Sequence, residues 1–349
     1  MSANVIKFGG TSLCSAAAMI NAANIVKNDG DISAVVVSAP GKRGDFDKKI
    51  TDILYDICKN PDRRADIATI RERFEEIARE LGQKADVSDI CEKILRAAKA
   101  GDVMLCASRG EYFSAKIFSA LTGFCFVDAA SAVKFDRRGA LQKEQTYALI
   151  RRAVSERGRI VLPGFYGSDT SGRIITFERG GSDISGAVVA AALGADVYRN
   201  YTDVGGFMFA DPKYGENVRV IRQMSYAQAH FLARHGSGVL CEGAIPYAAD
   251  AGVTINVRNS FCPTDGGSVI SDVPCADTVY GVAARKNADG VSEIAVGTAE
   301  YDDITRRAEK IIARCGGSVI STLREDGGVV FSALCDIDLS MREIIKELA

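Results

Sequence analysis

Six consecutive residues, Glu178-Arg179-Gly180-Gly181-Ser182-Asp183, bring together a guanidinium, two glycines, a hydroxyl and carboxylates. They follow the apolar runs Ile160-Val161-Leu162-Pro163 and Ile174-Ile175-Thr176-Phe177 and precede the Ala-rich stretch Ser185–Leu193, which should be helical. A strand, a glycine turn and a helix start form a common cradle for anions, because backbone N–H groups converge there. Arg179 adds a planar, permanently charged fork suited to a carboxylate or phosphate. Asp183 adds the opposite charge, so the stretch suits a charged small molecule. A second arrangement of this kind lies near the amino end. Val5-Ile6-Lys7-Phe8 reads as a strand leading into Gly9-Gly10-Thr11-Ser12. A Gly-Gly pair alone is little more than a turn. Lys7 inside an apolar strand says more, since burying a lone ammonium costs roughly several kcal/mol unless a partner is supplied. Glu111 follows Ser108-Arg109-Gly110 at the start of a helix expected over Tyr112–Leu121. Taken alone it reads first as a carboxylate favoured by the helix dipole.

These pieces suit phosphoryl transfer to a carboxylate. That reaction needs charge neutralisation of the moving group and in-line placement of the acceptor. A carboxylate is already ionised at neutral pH, so no general base is required. The presence of only two histidines, His230 and His235, is then no obstacle. No Walker A sequence, kinase-type G-x-G-x-x-G or G-x-S-x-G elbow occurs in the chain.

The elements that must position these residues alternate between strand and helix. Helices are expected over Ala16–Asn28, Lys48–Lys59 (with Thr51 and Asp52 near its start), within 62–100, and over Ser225–Arg234 and Val239–Asp250. Strands are expected at Ala34–Ser38, Phe124–Asp128, Thr254–Arg258 and Gly266–Ile270. This order predicts an α/β sandwich around a mostly parallel sheet. The composition shifts near Pro274. Beyond it, Glu293–Gly297, Asp302–Arg314, a hairpin turning at Asp326-Gly327 and Ser340–Leu348 fit a small ferredoxin-like α+β module, with Val279–Ala284 available as its further strand. The expected division is therefore 1–272 and 273–349.

Bulk properties exclude several classes. The 349 residues carry 43 basic and 45 acidic side chains, a net charge of −2, which is no footprint for nucleic acid or an anionic membrane. No apolar run approaches membrane-spanning length, and the first residues lack a signal-peptide layout. A soluble, cytoplasmic protein is expected. Ten cysteines are scattered without C-x-x-C spacing, which leaves little basis for a zinc or thiol-redox site.

The chain resembles the aspartate kinases of the amino acid kinase superfamily. The resemblance is carried by Lys7-Phe8-Gly9-Gly10-Thr11-Ser12, Ser38-Ala39-Pro40-Gly41-Lys42-Arg43, Thr51-Asp52, Ser108-Arg109-Gly110-Glu111 and Phe126-Val127-Asp128. It continues through Gly164-Phe165, Arg179-Gly180-Gly181-Ser182-Asp183, Tyr201-Thr202-Asp203-Val204 and Ala210-Asp211-Pro212, in family order across residues 4–272. The resemblance implies a three-layer αβα catalytic domain with a single ACT-like regulatory or dimerisation module of about 75 residues. It implies the conversion of ATP and L-aspartate to ADP and 4-phospho-L-aspartate, with magnesium, at the head of lysine, threonine and methionine biosynthesis. Carried over by position, Lys7 and Asp183 are the catalytic pair. Lys7, Gly9, Gly10, Thr202, Asp203, Met208, Lys213 and Val239 serve the nucleotide. Thr51, Glu111, Arg179 and Ser182 hold aspartate, Glu111 through the α-ammonium and Arg179 through the α-carboxylate. No separate protein metal site is implied, and the expected assembly is a homodimer, possibly through the C-terminal module. The chain departs from the family at Met208, Phe209, Cys241 and Glu178. The first two imply a reshaped adenine pocket, and Glu178 an extra negative charge beside Arg179. The alternatives are a related kinase with a different acceptor and a catalytically weak amino-acid-sensing protein.

Overall fold

The computed structural model describes residues 4–62, 64–84, 86–178, 180–215, 218–287 and 289–348. The chain forms two compact units, Met1–Asp203 with Asn259–Pro263, and Val204–Arg258 with Thr264–Ala349.

In the first unit, β1 (Asn4–Phe8) is followed by α1 (Ala16–Lys27) and β2 (Ile32–Val37). Next come α2 (Ile50–Lys59), α3 (Arg64–Glu80), α4 (Val87–Lys99), α5 (Val103–Ala107) and α6 (Arg109–Thr122). Then follow β3 (Cys125–Phe126), α7 (Ala129–Ala132), α8 (Lys143–Arg157), β4 (Ile160–Pro163), β5 (Tyr166–Ser168), β6 (Ile174–Thr176), α9 (Gly181–Leu193) and β7 (Val197–Thr202). The order β3-β4-β2-β1-β7 is parallel throughout, and β5 and β6 form a separate antiparallel pair. Both faces of β1 and β2 are buried, which explains the apolar run Ala34–Val37 of β2 and makes Lys7 in β1 the exception that needs a partner. Successive side chains point to opposite faces. Ile6, Phe8, Val35 and Val37 join one core with residues of α1, α2, α3, α4 and α6. Lys7 has the other parity, and α9 lies on its face. This arrangement of helix, sheet and helix layers is the expected one.

The start of α9 differs from the sequence reading. It begins at Gly181 rather than Ser185, with Gly180 at the N-cap in the left-handed region at φ 75°. Gly181 is helical because its bare α-carbon admits the Phe165 ring, where a Cβ would lie 2.7 Å from a ring carbon. Ser182 and Asp183 therefore sit in the first helical turn.

The second unit contains β8 (Gln223–Ser225), α10 (Tyr226–Arg234), α11 (Ile245–Asp250), β9 (Thr254–Asn259) and β10 (Ser268–Ser271). β10 runs parallel to β8 and antiparallel to β9. Ser225 caps α10 in a reciprocal capping box with Gln228. The helix expected over Val239–Asp250 is shorter than that. Cys241 is extended, Glu242–Ala244 forms one 3-10 turn, and Pro246 fixes the start of α11. Val239 thus lies outside any helix. The unit continues with β11 (Val279–Lys286), β12 (Ser292–Thr298), α12 (Tyr301–Arg314), β13 (Ser318–Glu325), β14 (Gly328–Leu334) and α13 (Ile337–Leu348). These strands form an antiparallel sheet in the order β11-β12-β14-β13, and β11 supplies the expected further strand. The division by contact falls at Asp203, far upstream of the composition shift near Pro274. The terminal sheet accordingly shares one core with Phe209, Ala210 and Tyr214.

Candidate functional site

Parallel strands deliver the loops at their carboxyl ends to one edge of the sheet, where open α/β folds bind ligands. In the first unit that edge carries the exits of β1, β2, β4 and β7 and the starts of α6 and α9. Lys7 is buried, and its Nζ lies 2.5 Å from Asp183 Oδ1 in the first turn of α9. The partner that a buried ammonium requires is therefore present. Nζ also donates to Asn200 Oδ1 at 3.4 Å, while Asn200 Nδ2 donates to Asp183 Oδ1 at 2.9 Å.

The glycines make the edge compact. The N–H of Gly9 donates to Tyr201 O at 2.9 Å, and a Cβ on Gly9 would sit 3.6 Å from Lys7 Nζ. Gly41 N–H donates to Gly10 O at 2.8 Å, and a Cβ on Gly41 would lie 2.5 Å from the Gly10 carbonyl carbon. The β1 and β2 exits are thus locked together. Arg73 of α3, 1 % exposed, reinforces them by donating to Gly41 O at 2.7 Å and Lys48 O at 2.9 Å. Thr11 Oγ1 and Thr202 Oγ1 donate to the two carboxylate oxygens of Asp203 at 3.0 and 3.2 Å. Gly164 at the β4 exit leaves room for Ser182, since a Cβ there would be 2.8 Å from Ser182 Oγ.

Glu111 lies in the first turn of α6. Gly110 beside it packs on the β2 exit, with a hypothetical Cβ 2.6 Å from Ala39 Cβ and 3.1 Å from Ile50 Cγ2. Ile50 begins the turn of α2 that carries the half-buried Thr51. Burial pushes the Glu111 carboxyl up to about 8, against the opposing influence of its own and the Ala39 backbone N–H groups and of Arg109. Its Oε2 is buried with no hydrogen-bond partner. An orphaned, fully buried carboxyl oxygen is what a helix-dipole role would not require and a cation-binding role would.

Lys7, Gly9, Gly10, Thr51, Glu111, Ser182, Asp183, Thr202 and Asp203 all belong to this unit. Arg179 lies outside the described residues. Met208, Lys213 and Val239 belong to the second unit. There Met208 bridges to Val220, and Lys213 Nζ pairs with Asp211 Oδ2 at 3.0 Å. Phe209 is 2 % exposed within that unit's core, with the Arg219 guanidinium 5.0 Å from its ring centroid.

Two residues at the edge escaped the sequence reading, and a third, Phe165, entered it only as part of a motif. Asn200 and Tyr198 sit in β7, where a polar side chain at alternate positions of a buried strand was the available signal. Phe165 is the only non-glycine residue with positive φ, 76°, among the described residues. Its N–H donates to Ser185 Oγ at 2.9 Å and its carbonyl accepts from Phe177 N at 2.8 Å, contacts that hold the strained backbone in place.

The sequence profile of the amino acid kinase family matches residues 2–259. Aspartokinase 3 of Bacillus subtilis (strain 168) is 31% identical over 287 residues, covering 76% of this chain and 63% of its own length. An aspartokinase of Chlamydia muridarum (strain MoPn / Nigg) is 27% identical over 369 residues, covering 98% of this chain and 81% of its own. The crystal structure of Clostridium acetobutylicum aspartate kinase matches with a TM-score of 0.75 and 32% identity, covering 99% of this chain and 82% of that one. E. coli aspartokinase III in complex with aspartate and ADP gives the same TM-score of 0.75 at 23% identity, covering 99% and 83%, a likeness of fold. The chain spans 58–63% of the length of the first three curated relatives it matches. No helix among the described residues is long and apolar enough to cross a membrane.

Proposed function

The chain belongs to the amino acid kinase family, and from that premise we propose that it is an aspartate kinase, transferring the γ-phosphoryl group of ATP to the side-chain carboxylate of L-aspartate. The observation that carries this reading is the pairing, at one sheet edge, of a buried ammonium on a glycine turn with a buried carboxyl that has an unpartnered oxygen. The first suits a phosphoryl group in transit and the second suits an α-ammonium. Similarity to several aspartokinases supports the acceptor.

Lys7 neutralises charge as it develops on the phosphoryl oxygens. Asp183 keeps Lys7 in place. Gly9 and Gly10 let the phosphates approach the backbone, and Thr202 and Asp203 serve the nucleotide together with Met208, Lys213 and Val239. Glu111 receives the ammonium of aspartate, Arg179 its α-carboxylate, and Thr51 and Ser182 complete the acceptor contacts. The acceptor is already an anion, so no residue need remove a proton. Magnesium, when bound, shields phosphate charge and orients the leaving group. Among the described residues, no group of three His, Cys, Asp or Glu side chains is placed to hold a metal. Magnesium carried on the nucleotide would touch one or two carboxylates, with Asp203 the residue to supply one.

The proposal extends to the rest of the chain. Residues 1–272 form the catalytic part, and 273–349 an ACT-like module that dimerises the protein or senses an amino acid. The enzyme acts in the cytoplasm as a homodimer at the head of lysine, threonine and methionine biosynthesis. The test is hydroxamate trapping of the acyl phosphate with magnesium and ATP, across aspartate, glutamate and N-acetylglutamate. Aspartate is expected to be preferred. Preference for either of the others would overturn the acceptor, and no turnover with any would overturn the activity.

A further inference from the structure

β1 and β7 are parallel neighbours, and their register sets Lys7 directly beside Asn200. Both side chains share the sheet face covered by α9. Asn200 is 1 % exposed, and both ends of its amide are engaged. Its Oδ1 accepts from Lys7 Nζ at 3.4 Å, and its Nδ2 donates to Asp183 Oδ1 at 2.9 Å and to the Tyr198 hydroxyl at 3.3 Å. The Tyr198 hydroxyl in turn donates to Asp183 O at 3.1 Å. That ring needs space, which Gly186 of α9 provides, since a Cβ there would lie 2.5 Å from the Tyr198 oxygen. The orientation of the amide follows from its neighbours, because only the oxygen can face an ammonium and only the nitrogen can donate to a carboxylate.

We propose that Asn200 is a positioning residue for phosphoryl transfer, holding Lys7 and Asp183 in fixed relation so that one N–H of the ammonium remains for the phosphoryl group. This rests on the kinase reading above and adds a residue to it. An ammonium has three donors. Among the described residues Asp183 takes one and Asn200 another. Without Asn200 the ammonium pivots about a single carboxylate, free to engage both of its oxygens. A neutral acceptor is the chemistry the position demands. The Lys7–Asp183 pair is electrically neutral, and a second carboxylate would make the site net negative and repel phosphate. An aliphatic side chain would supply neither an acceptor to Lys7 nor a donor to Asp183.

The experiment compares Asn200→Leu and Asn200→Asp with the wild-type chain. It measures MgATP affinity by calorimetry without acceptor, kcat and KM for each substrate, and thermal melting. Hydrogen bonds to charged groups set the expected loss, about ten- to a hundredfold in kcat for Asn200→Leu, with KM for the acceptor unchanged. Asn200→Asp is expected to lose more at pH 8 and to recover relative to wild type as the pH is lowered toward 5.5, because a protonated carboxyl restores a neutral acceptor and donor. A purely structural role gives lower melting temperatures with kcat per folded molecule unchanged, and that result overturns the proposal. So does an Asn200→Asp activity whose ratio to wild type is flat with pH. If Asn200→Leu does not fold, Asn200→Ser replaces it under the same criteria. Failure of the acceptor assignment is separately visible, since the wild-type chain would then turn over a different acceptor, and the variants would be compared with that one.

Discussion

Replacing Glu111 by Gln keeps the shape of the side chain and removes its charge, and the consequence for pH is large enough to measure. The free carboxyl titrates at about 8. Only an ionised Glu111 can pair with the ammonium of an amino acid, so binding must first expel the proton. That costs about 1.4 kcal/mol for each pH unit below the titration point, or tenfold in affinity. The KM for aspartate in the wild-type enzyme is therefore expected to rise about tenfold between pH 7 and pH 6 and to level off above pH 8. In Glu111→Gln this slope disappears, and KM at pH 8.5 is raised about ten- to a hundredfold by loss of the charged hydrogen bond. Steady-state kinetics at saturating MgATP from pH 6 to 9 provide the assay. Calorimetry in buffers of different ionisation enthalpy supplies a direct count of the released proton. Stability moves in a related way. The folded chain holds this proton more tightly than the unfolded chain, so the contribution is fully present below 4.5 and is lost as the pH rises through 8. Above that, Glu111→Gln is expected to be the more stable protein, by on the order of 5 kcal/mol. A wild-type KM that is flat between pH 6 and 8, or a slope that survives in Glu111→Gln, refutes the reasoning.

Gly41→Ala is expected to cost about 1–3 kcal/mol, because its Cβ would fall 2.5 Å from the backbone of Gly10; kinetics should show a greater loss in kcat/KM for ATP than for aspartate. In the second unit, buried His235 lies 2.8 Å from Glu293 and 3.1 Å from Glu325. Burial alone would raise the Glu293 carboxyl, but hydrogen bonds from His235 and Arg285 outweigh it and hold the group below its ordinary 4.5. The stability this brings is present above 4.5 and lost as the pH falls through the lowered value. His235→Gln is expected to cost about 1–3 kcal/mol near neutrality, with the gap to wild type in thermal melts narrowing toward pH 3.

The sequence was most legible where a physical demand was local. An ammonium in an apolar strand calls for a partner, and Asp183 answers for Lys7. The apolar run Ala34–Ser38, without alternation, marked β2 as buried on both faces. Helix starts were less legible. The pair Gly180-Gly181 looks like a turn throughout, yet only Gly180 is one, because the reason for Gly181 is the ring of Phe165. The segment after Val239 has helical periodicity, but Pro246 and an extended Cys241 delay the helix. Phe209 was read against the adenine pocket, whereas its burial answers to the core shared with the C-terminal sheet. Asn200 was hidden for a different reason. Its alternation with Tyr198 is a faint signal in so short a strand, and its meaning arises from the register that sets it beside Lys7.

That register also has a consequence for synthesis. Lys7 is synthesised well ahead of the amide that steadies it, which follows 193 positions later. At about 5–20 residues per second, the interval is roughly 10–40 s. Until β7 arrives, β1 has one unpaired edge, and its cation can meet Asp183 but not the amide that fixes their relation. A chain cut short before Asn200 would therefore carry Lys7 and Asp183 beside an open sheet edge, with no amide to hold the two in register.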